Sequence, residues 1–420
     1  MTQHGENTTL QKIRQDKFKI LVLTTSYPSD EHDPSGIFIA KLLAAIRKRG
    51  HQVKVVAPSN GLFHGRRTLQ GVETIRFGYF LPRSREKLTT AAGGIPETMA
   101  KSHLARVQLV PMMAIFLIRA LMESRGWDLV YANWLGAGIV GAAVKAITGK
   151  PLVVSFRGDD GYLALHRSIW RALTNWVIRH SDMVAPVSGE LRDILLDLGT
   201  PADRCQVPRY GVDLEMFRPE PRESTDEVRI VYVGAVIRKK GVHDLLAALA
   251  DPAFADTRLI VVGDGVDAPE LAALSDQLQL KDRVEWMGAQ PHQDVAGIMR
   301  GTDILCLPSY TEGRPNVINE AMASGLPVIA TRVGGIPEMV KEGETALLHD
   351  PGDVAGLRRC LSTLVENPIL RAEMGKNARE FVVQSGLSWD TTALDFENIF
   401  AQVMNSRQGT RRSDDMPCEQ

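Results

Sequence analysis

Cysteine is scarce in this chain: four residues in 420, at Cys205, Cys306, Cys360 and Cys418, with no Cys-x-x-Cys spacing. Neither a disulfide framework nor a zinc motif follows from that, and a reducing compartment fits. Charge of one sign is wanting too, because 49 basic residues face 50 acidic ones. Such a balance is that of an ordinary globular chain, and no nucleic-acid partner is expected. The most apolar run, Leu109 to Met122, is interrupted by Pro111 and Arg119. It falls short of the ~20 residues of a membrane span, so no spanning segment is expected. The first seventeen residues are polar and mixed in charge, unlike a signal peptide. No strand is followed by Gly-x-Gly-x-x-Gly, which argues against a dehydrogenase. Asp-x-Asp is absent as well, so a metal-bridged diphosphate is not expected and no cofactor is implied.

What is there is a repeated alternation. "FKILVLTTSYP" is an apolar run ending in turn residues, followed by the helical pattern "GIFIAKLLAAIRKRG" and the run "QVKVVAP". "VRIVYVGAVIRKKG" opens the second half in the same way, followed by "VHDLLAALA" and "RLIVVGDG". Apolar runs of five or six residues alternating with helical periodicity read as parallel strands buried on both faces. "DLVYAN", "PLVVSF" and "MVAPVS" continue the series in the first half, and "VEWMG", "DILCLPS" and "PVIAT" in the second. The stretch "GVDLEMFRPEPREST" between the halves, rich in Pro and charge, reads as a linker. The expected fold is α/β: two Rossmann-like, doubly wound domains facing a cleft, with ligands at the C-terminal ends of the strands. The polar ends, up to about residue 17 and beyond about 406, are expected to be mobile.

The loop after "DILCLPS" carries two glutamates eight residues apart, in "YTEGRPNVINEAMASG". Asn316 is suited to cap the following helix, and Gly325 to end it. Glu312 then lies above a strand end and Glu320 inside the helix. The amides of Val317 and Ile318 suit a phosphate group. One carboxylate on either side of an anion pocket can hold hydroxyls of the two sugars flanking a diphosphate. Arg238, Lys239 and Lys240 follow another strand end, beside Gly234 and Gly241, and such cations neutralise a departing diphosphate. "VVGDG", with Gly265, and "RVGGIPE" add glycine turns at the same sheet edge. A basic turn or a pair of glutamates alone is ordinarily a solvated surface. The four loops together point to a nucleotide sugar.

These residues resemble the retaining glycosyltransferases of family 4, which have the GT-B fold. The likeness is carried by "GAVIRKKGVHDLLAAL", "IVVGDG", "LPSYTEGRPNVINEAMASGLPVIATRVGGIPE" and "SWD". It extends to "SYPSDEHDPSGIFIAKLLAAIRKRGHQVKVVAP" and "VSGELRDILLDLGTPADRCQVPRYGVDLEMFRP". The resemblance implies that Glu312 contacts the donor sugar, that Glu320 holds the nucleotide ribose and that Lys240 meets the diphosphate. It gives the loop Gly313, Arg314, Pro315, Asn316 and Val317 backbone contacts to sugar and phosphate. Residues 18–217 would form the acceptor-side domain and 218–386 the nucleotide-sugar domain. Residues 387–405 would form a helix packing back on the first domain, between the tails 1–17 and 406–420. The chain departs from the family's pattern in carrying Ala235 where an arginine often follows Gly234, so Arg238 is expected to supply that charge. It also has Tyr210 where asparagine is common.

In the first half, "VVSFRGDD" ends a parallel strand at the cleft, and Arg157 stands where the family commonly has a histidine. An arginine does not deprotonate and cannot serve as a general base. It can bind a sugar hydroxyl or an acidic group, or pair structurally with Asp159 or Asp160. Glu312, Arg157 and Asp159 are the candidate catalytic residues; Gly36, at the start of the first helix, permits close approach of backbone to the donor phosphate or the acceptor, or is a plain turn glycine. Residues 61–106 carry eight Lys/Arg against three Asp/Glu, with Phe63, Tyr79, Phe80 and Leu81 interleaved. That stretch either contacts an anionic bilayer or is solvated.

The expectation is thus a metal-independent transferase that moves a sugar from a nucleotide donor, UDP before GDP, to a glycan or lipid-linked acceptor with retention. It would act in cell-surface polysaccharide or glycolipid biosynthesis, in the cytoplasm at the inner face of the membrane. A hydrolase or epimerase of the same shape, or a sugar-nucleotide-binding subunit without catalysis, are the rival readings.

Overall fold

The computed structural model describes residues 17–414 apart from 32, 62, 90–93, 167 and 222–226, and leaves aside the side chains of 159, 160, 166 and those beyond 406. The first sheet contains β1 (Lys19–Thr24), β2 (Gln52–Pro58), β3 (Gly65–Leu69), β4 (Val72–Phe77), β5 (Leu129–Asn133), β6 (Leu152–Ser155) and β7 (Met183–Val184). Their order is β3-β4-β2-β1-β5-β6-β7. The second sheet contains β8 (Val228–Val233), β9 (Thr257–Val262), β10 (Val284–Gly288), β11 (Ile304–Leu307), β12 (Val328–Thr331) and β13 (Ala346–His349). Its order is β10-β9-β8-β11-β12-β13, and all its pairings are parallel. Strands such as β1 and β5 are fully buried beyond their first residues because helices cover both faces, which is why they read as unbroken apolar runs.

Three strands were not expected. β3 and β4 form an antiparallel hairpin inside the basic stretch, turning at Gln70 and Gly71, both with positive φ. β3 is an exposed, arginine-bearing edge, so it lacks an apolar signature. β13, of only four residues, completes the other edge.

In each sheet the strand order reverses between two adjacent strands, β1 and β5 in one and β8 and β11 in the other. The loops leaving such a pair diverge and open a crevice. The first domain's crevice is bounded by α1 (Ile37–Lys48), entered through Gly36 at φ 66°. A Cβ on Gly36 would lie 2.7 Å from the Ser26 carbonyl oxygen, so the close turn requires glycine. A long helix, α2 (His103–Glu123), packs beside β2 and β4.

The crossing between domains uses two segments side by side. Val212 bridges Ser388, and its amide donates to the Leu387 carbonyl at 3.3 Å. Val212 and Phe217 already sit in the second core, so the chain enters that domain a few residues ahead of the expected boundary at 217. Far from hanging free, the start of the linker is fastened by Arg379, which donates to the carbonyls of Phe217 and Ala323. The final helix, spanning Trp389–Asp414, runs beyond the expected end at 405. Its Phe396 and Phe400 are buried in the first core against Tyr131, at ring separations of 5.2 and 5.6 Å. The expected N-terminal tail, save Lys17, and residues 415–420 lie outside the described residues.

Candidate active site

The two domains enclose a cavity of about 510 Å³. Its wall takes Pro34, Ser35, Ile37 and Phe38 from the first domain; from the second it takes the loops after β8, β9, β10 and β11. β8 and β11 are neighbours at the reversal point, paired Ile304 to Ile230 and Leu305 to Val231. Their loops therefore start side by side, and this brings Lys240 and Glu312 together. Lys240 Nζ lies 2.6 Å from Glu312 Oε1. The Ser309 hydroxyl donates to the same oxygen at 2.7 Å. Glu312 is buried, which leaves its charge dependent on these two donors.

Glu320 projects into the cavity from α3 (Asn316–Ala323), and its Oε1 lies 2.8 Å from His292 Nε2. His292, at the start of the helix after β10, packs against Phe217 with ring centres 5.0 Å apart and planes tilted by 59°. His292 was not expected, because nothing local marks a contact between residues 28 positions apart. Ser309 was missed although it stands only three residues before Glu312, because a serine at a strand end reads as an ordinary turn residue.

Arg314 also lines the cavity. Burial pushes its guanidinium below the ordinary arginine pKa, and its Nε has no hydrogen-bond partner among the described residues. A buried cationic donor with spare capacity is suited to an anionic ligand. Pro315, Asn316 and Val317 line the wall beside it. Asn316 is the first residue of α3 and Pro315 stands at the cap, so the expected side-chain cap from Asn316 is not made. Ile318 is buried and its amide donates to the Pro315 carbonyl, which removes it from the expected phosphate contacts. Gly325 ends the helix with φ 79°, as its position predicts.

The other expected residues are divided between the cavity wall and its surroundings. Gly234 lines the cavity, but Arg238 is exposed, with its amide donating to Asp267 Oδ2 at 2.7 Å and its carbonyl accepting from the Gly241 amide. Gly263 and Asp264 reach the wall where Gly265 was expected; Gly265 instead packs under Val236, whose carbonyl oxygen would meet a Cβ there at 2.1 Å. Gly36 is flanked by wall residues. Gly313 packs backbone to backbone against Gly158, where a Cβ on either would come within about 3.0 Å of the other. This contact presses the Glu312 loop against the first domain.

Arg157 stands behind Phe38. Its Cζ lies 4.6 Å from the Phe38 ring centre, 5.2 Å from Tyr210 and 5.9 Å from Trp134. Its Nε donates to Asn133 Oδ1 at 2.9 Å. The aromatic faces stabilise the cation, and Tyr210, where the family often has asparagine, is one of them. Asp159 begins the helix Asp159–His166, and its side chain lies outside the described residues.

A second tie crosses the cleft at Glu338, in the short helix Ile336–Met339 after β12. Its two oxygens accept from the amides of Gly189 and Glu190, each at 2.8 Å. Those amides begin the helix Gly189–Asp197 of the first domain, whose third amide, on Leu191, is capped by Ser188. One domain thus caps a helix of the other.

Likenesses to known proteins bear on the family and the fold. The family described as "Glycosyl transferases group 1" matches residues 214–381, and "Glycosyl transferase 4-like domain" matches residues 35–211. The D-inositol 3-phosphate glycosyltransferase of Corynebacterium efficiens is 27% identical over 335 residues, 71% of this chain and 78% of that one. Among solved structures, the sucrose-phosphate synthase of Thermosynechococcus elongatus superposes with a TM-score of 0.77 at 24% identity, covering 92% of this chain and all of that one. Anabaena HepE in complex with UDP-glucose superposes with a TM-score of 0.69 at 21% identity, covering 93% and 100%.

Proposed function

Because the chain belongs to the glycosyl transferases group 1 family and has the GT-B fold, we propose that it moves a sugar from a UDP-sugar to a glycan or lipid-linked acceptor with retention of configuration. The observation that carries this reading is the cavity itself. It holds the Lys240–Glu312 pair, in which the carboxylate is buried, a His292–Glu320 pair, and Arg314, whose Nε has no partner among the described residues, on one wall.

In this reading the diphosphate lies against Lys240 and the start of α3, where the cation and the helix amides stabilise the charge on the departing nucleotide. Arg314 assists from the same wall, in place of the exposed Arg238. Glu320, oriented by His292, accepts hydrogen bonds from the ribose. Glu312 faces the donor sugar, whose ring gains positive charge as the glycosidic bond breaks. Arg157 acts indirectly, holding Phe38 and the acceptor-side wall. UDP is favoured because the similar HepE was solved with UDP-glucose, and retention rests on the likeness to the retaining family. Metal independence is inferred from the cationic residues placed for the diphosphate.

The acceptor side belongs to the first domain, and the protein works in the cytoplasm, on surface polysaccharide or glycolipid, at the inner face of the membrane. Thermal shift with UDP-, GDP- and ADP-sugars tests the donor, since a ligand that binds only the folded state raises stability with occupancy. Proton NMR of the product's anomeric centre tests retention. Activity persisting in excess EDTA supports metal independence, and loss restored by Mg²⁺ refutes it.

A further inference from the structure

α2 is strongly apolar: the segment His103–Glu123 is long and apolar enough to cross a membrane by length and composition alone. A helix of that kind is normally covered on every side. Here only one face is covered, by Ala105, Gln108, Met112, Phe116 and Ala120, which are buried against the first domain. The opposite face carries Val107, Val110, Ile118 and Met122, exposed by 65%, 74%, 56% and 59%. At 100° per residue these four and Ala114 fall on one stripe along the outer side of the helix.

The charges around that stripe have one sign. Arg106 and Arg119 are exposed and fall on its two margins, and Arg125 is exposed just past its end. Glu123, the one acidic residue of the helix, is turned inward and paired with Lys54 and Arg66. Beside the helix runs the loop 81–87, stapled by Gln108, which donates to the Arg85 carbonyl and accepts from the Lys87 amide. That loop exposes Leu81, Arg83 and Arg85. Other parts of the basic stretch 61–106 are committed within the fold: Tyr79 is buried, Arg66 is paired with Glu73 and Glu123, and Arg76 is buried under the Tyr27 and Pro58 carbonyls.

We propose that the outer face of α2 is a docking surface for an anionic lipid bilayer, with Val107, Val110, Ile118 and Met122 entering the acyl boundary and Arg106, Arg119 and Arg125 meeting the headgroups. The helix lies in the membrane plane and does not cross it, because its inner face is committed to the first domain. Apolar side chains flanked by arginine fit an interface better than a protein partner of unspecified charge. The proposal rests on the lipid-linked-acceptor reading, since the surface belongs to the domain assigned to the acceptor.

Vesicle co-sedimentation of the full chain tests it without requiring activity. Vesicles of phosphatidylcholine with one-quarter phosphatidylglycerol should bind the protein, pure phosphatidylcholine much less, and added salt should weaken binding. Val110→Glu with Ile118→Glu should abolish binding. Arg106→Gln or Arg119→Gln should each weaken it about fivefold. Val110, Ile118 and Arg119 are exposed, so the melting temperature of their variants should not change; Arg106 also donates to the Met99 and Ala100 carbonyls, so Arg119→Gln is the charge variant to compare at equal stability. Binding unaffected by Val110→Glu/Ile118→Glu overturns the proposal, as does failure of the wild type to bind anionic vesicles. A wild-type dimer that the same double substitution makes monomeric also overturns it, because a second copy then covers the face. Vesicle binding with no transfer to any lipid-linked acceptor would leave this surface standing and refute the acceptor reading instead.

Discussion

Lys240 Nζ and Glu312 Oε1 lie 2.6 Å apart, joined across the reversal point of the second sheet. In the free protein, then, the cation assigned to the diphosphate is already engaged by the carboxylate assigned to the sugar. Ser309 donates to the same carboxylate oxygen, so Glu312 keeps a partner when Lys240 turns to a phosphate. Donor binding exchanges one charge-assisted contact for another, and no lone charge is left in the cleft.

Lys240→Ala should therefore cost activity in two ways, by removing the diphosphate contact and by leaving a buried carboxylate with one donor. A hydrogen bond to a charged group contributes ~1.5–3 kcal/mol, or roughly ten- to a hundredfold in kcat/KM. Steady-state kinetics check this; wild-type kcat/KM would remove Lys240 from the site.

His292 is assigned the orientation of Glu320, an interaction made equally in ground and transition states. Its loss should appear mainly in KM. His292→Ala is expected to raise donor KM about five- to tenfold, the loss of about 1 kcal/mol, with kcat nearly unchanged. A fall in kcat at constant KM would give His292 a chemical role instead.

Glu338 caps the Gly189 helix from across the cleft. Loss of a capping interaction costs about 1 kcal/mol, so Glu338→Ala should lower kcat severalfold while UDP affinity holds. Gly189→Ala should act alike, because a Cβ there would meet Glu338 Oε1 at 2.9 Å. If the two act through one contact, combining them should cost no more than the worse of the pair.

Acid should destabilise the fold through buried histidines. Burial lowers the pKa of His51 and of His349. His51 Nδ1 accepts from the Phe18 amide at 3.1 Å and so must be unprotonated there. A folded pKa below the unfolded value of ~6.5 gives stability that is complete above that pH and is lost as pH falls through the folded value. The melting temperature should drop between about pH 7.5 and pH 5, and His51→Asn should reduce that drop.

The return of the final helix is a matter of core packing. Phe396 is fully buried against Tyr131 and Tyr210, and Phe396→Ala should cost ~3–5 kcal/mol. Denaturant unfolding measures it directly.

The parallel strands and the Lys240 and Glu312 loops were legible because a buried strand writes its burial into consecutive apolar residues, and the loop after it carries the chemistry. The β3–β4 hairpin was not, since "GRRTL" lies on an exposed edge where no apolar alternation is required. Arg157 could be placed after β6, but its surroundings could not. Phe38, Trp134 and Tyr210 come from three separate parts of the chain, and only the folded sheet brings them to one arginine. The same holds for the apolar outer face of α2, which as sequence is indistinguishable from a buried helix. Its meaning lies in which side is covered.

Calorimetric titration of UDP into the wild type, Glu320→Gln and Glu312→Gln tests the site assignment most directly. Glu320→Gln removes the ribose carboxylate and should weaken UDP about tenfold or more. Glu312→Gln keeps shape and an acceptor oxygen while releasing Lys240 from a charged partner, so UDP should bind at least as tightly as to the wild type, with kcat greatly reduced. Loss of UDP binding in Glu312→Gln, with Glu320→Gln unaffected, would contradict the placement of the two carboxylates and of the nucleotide between them.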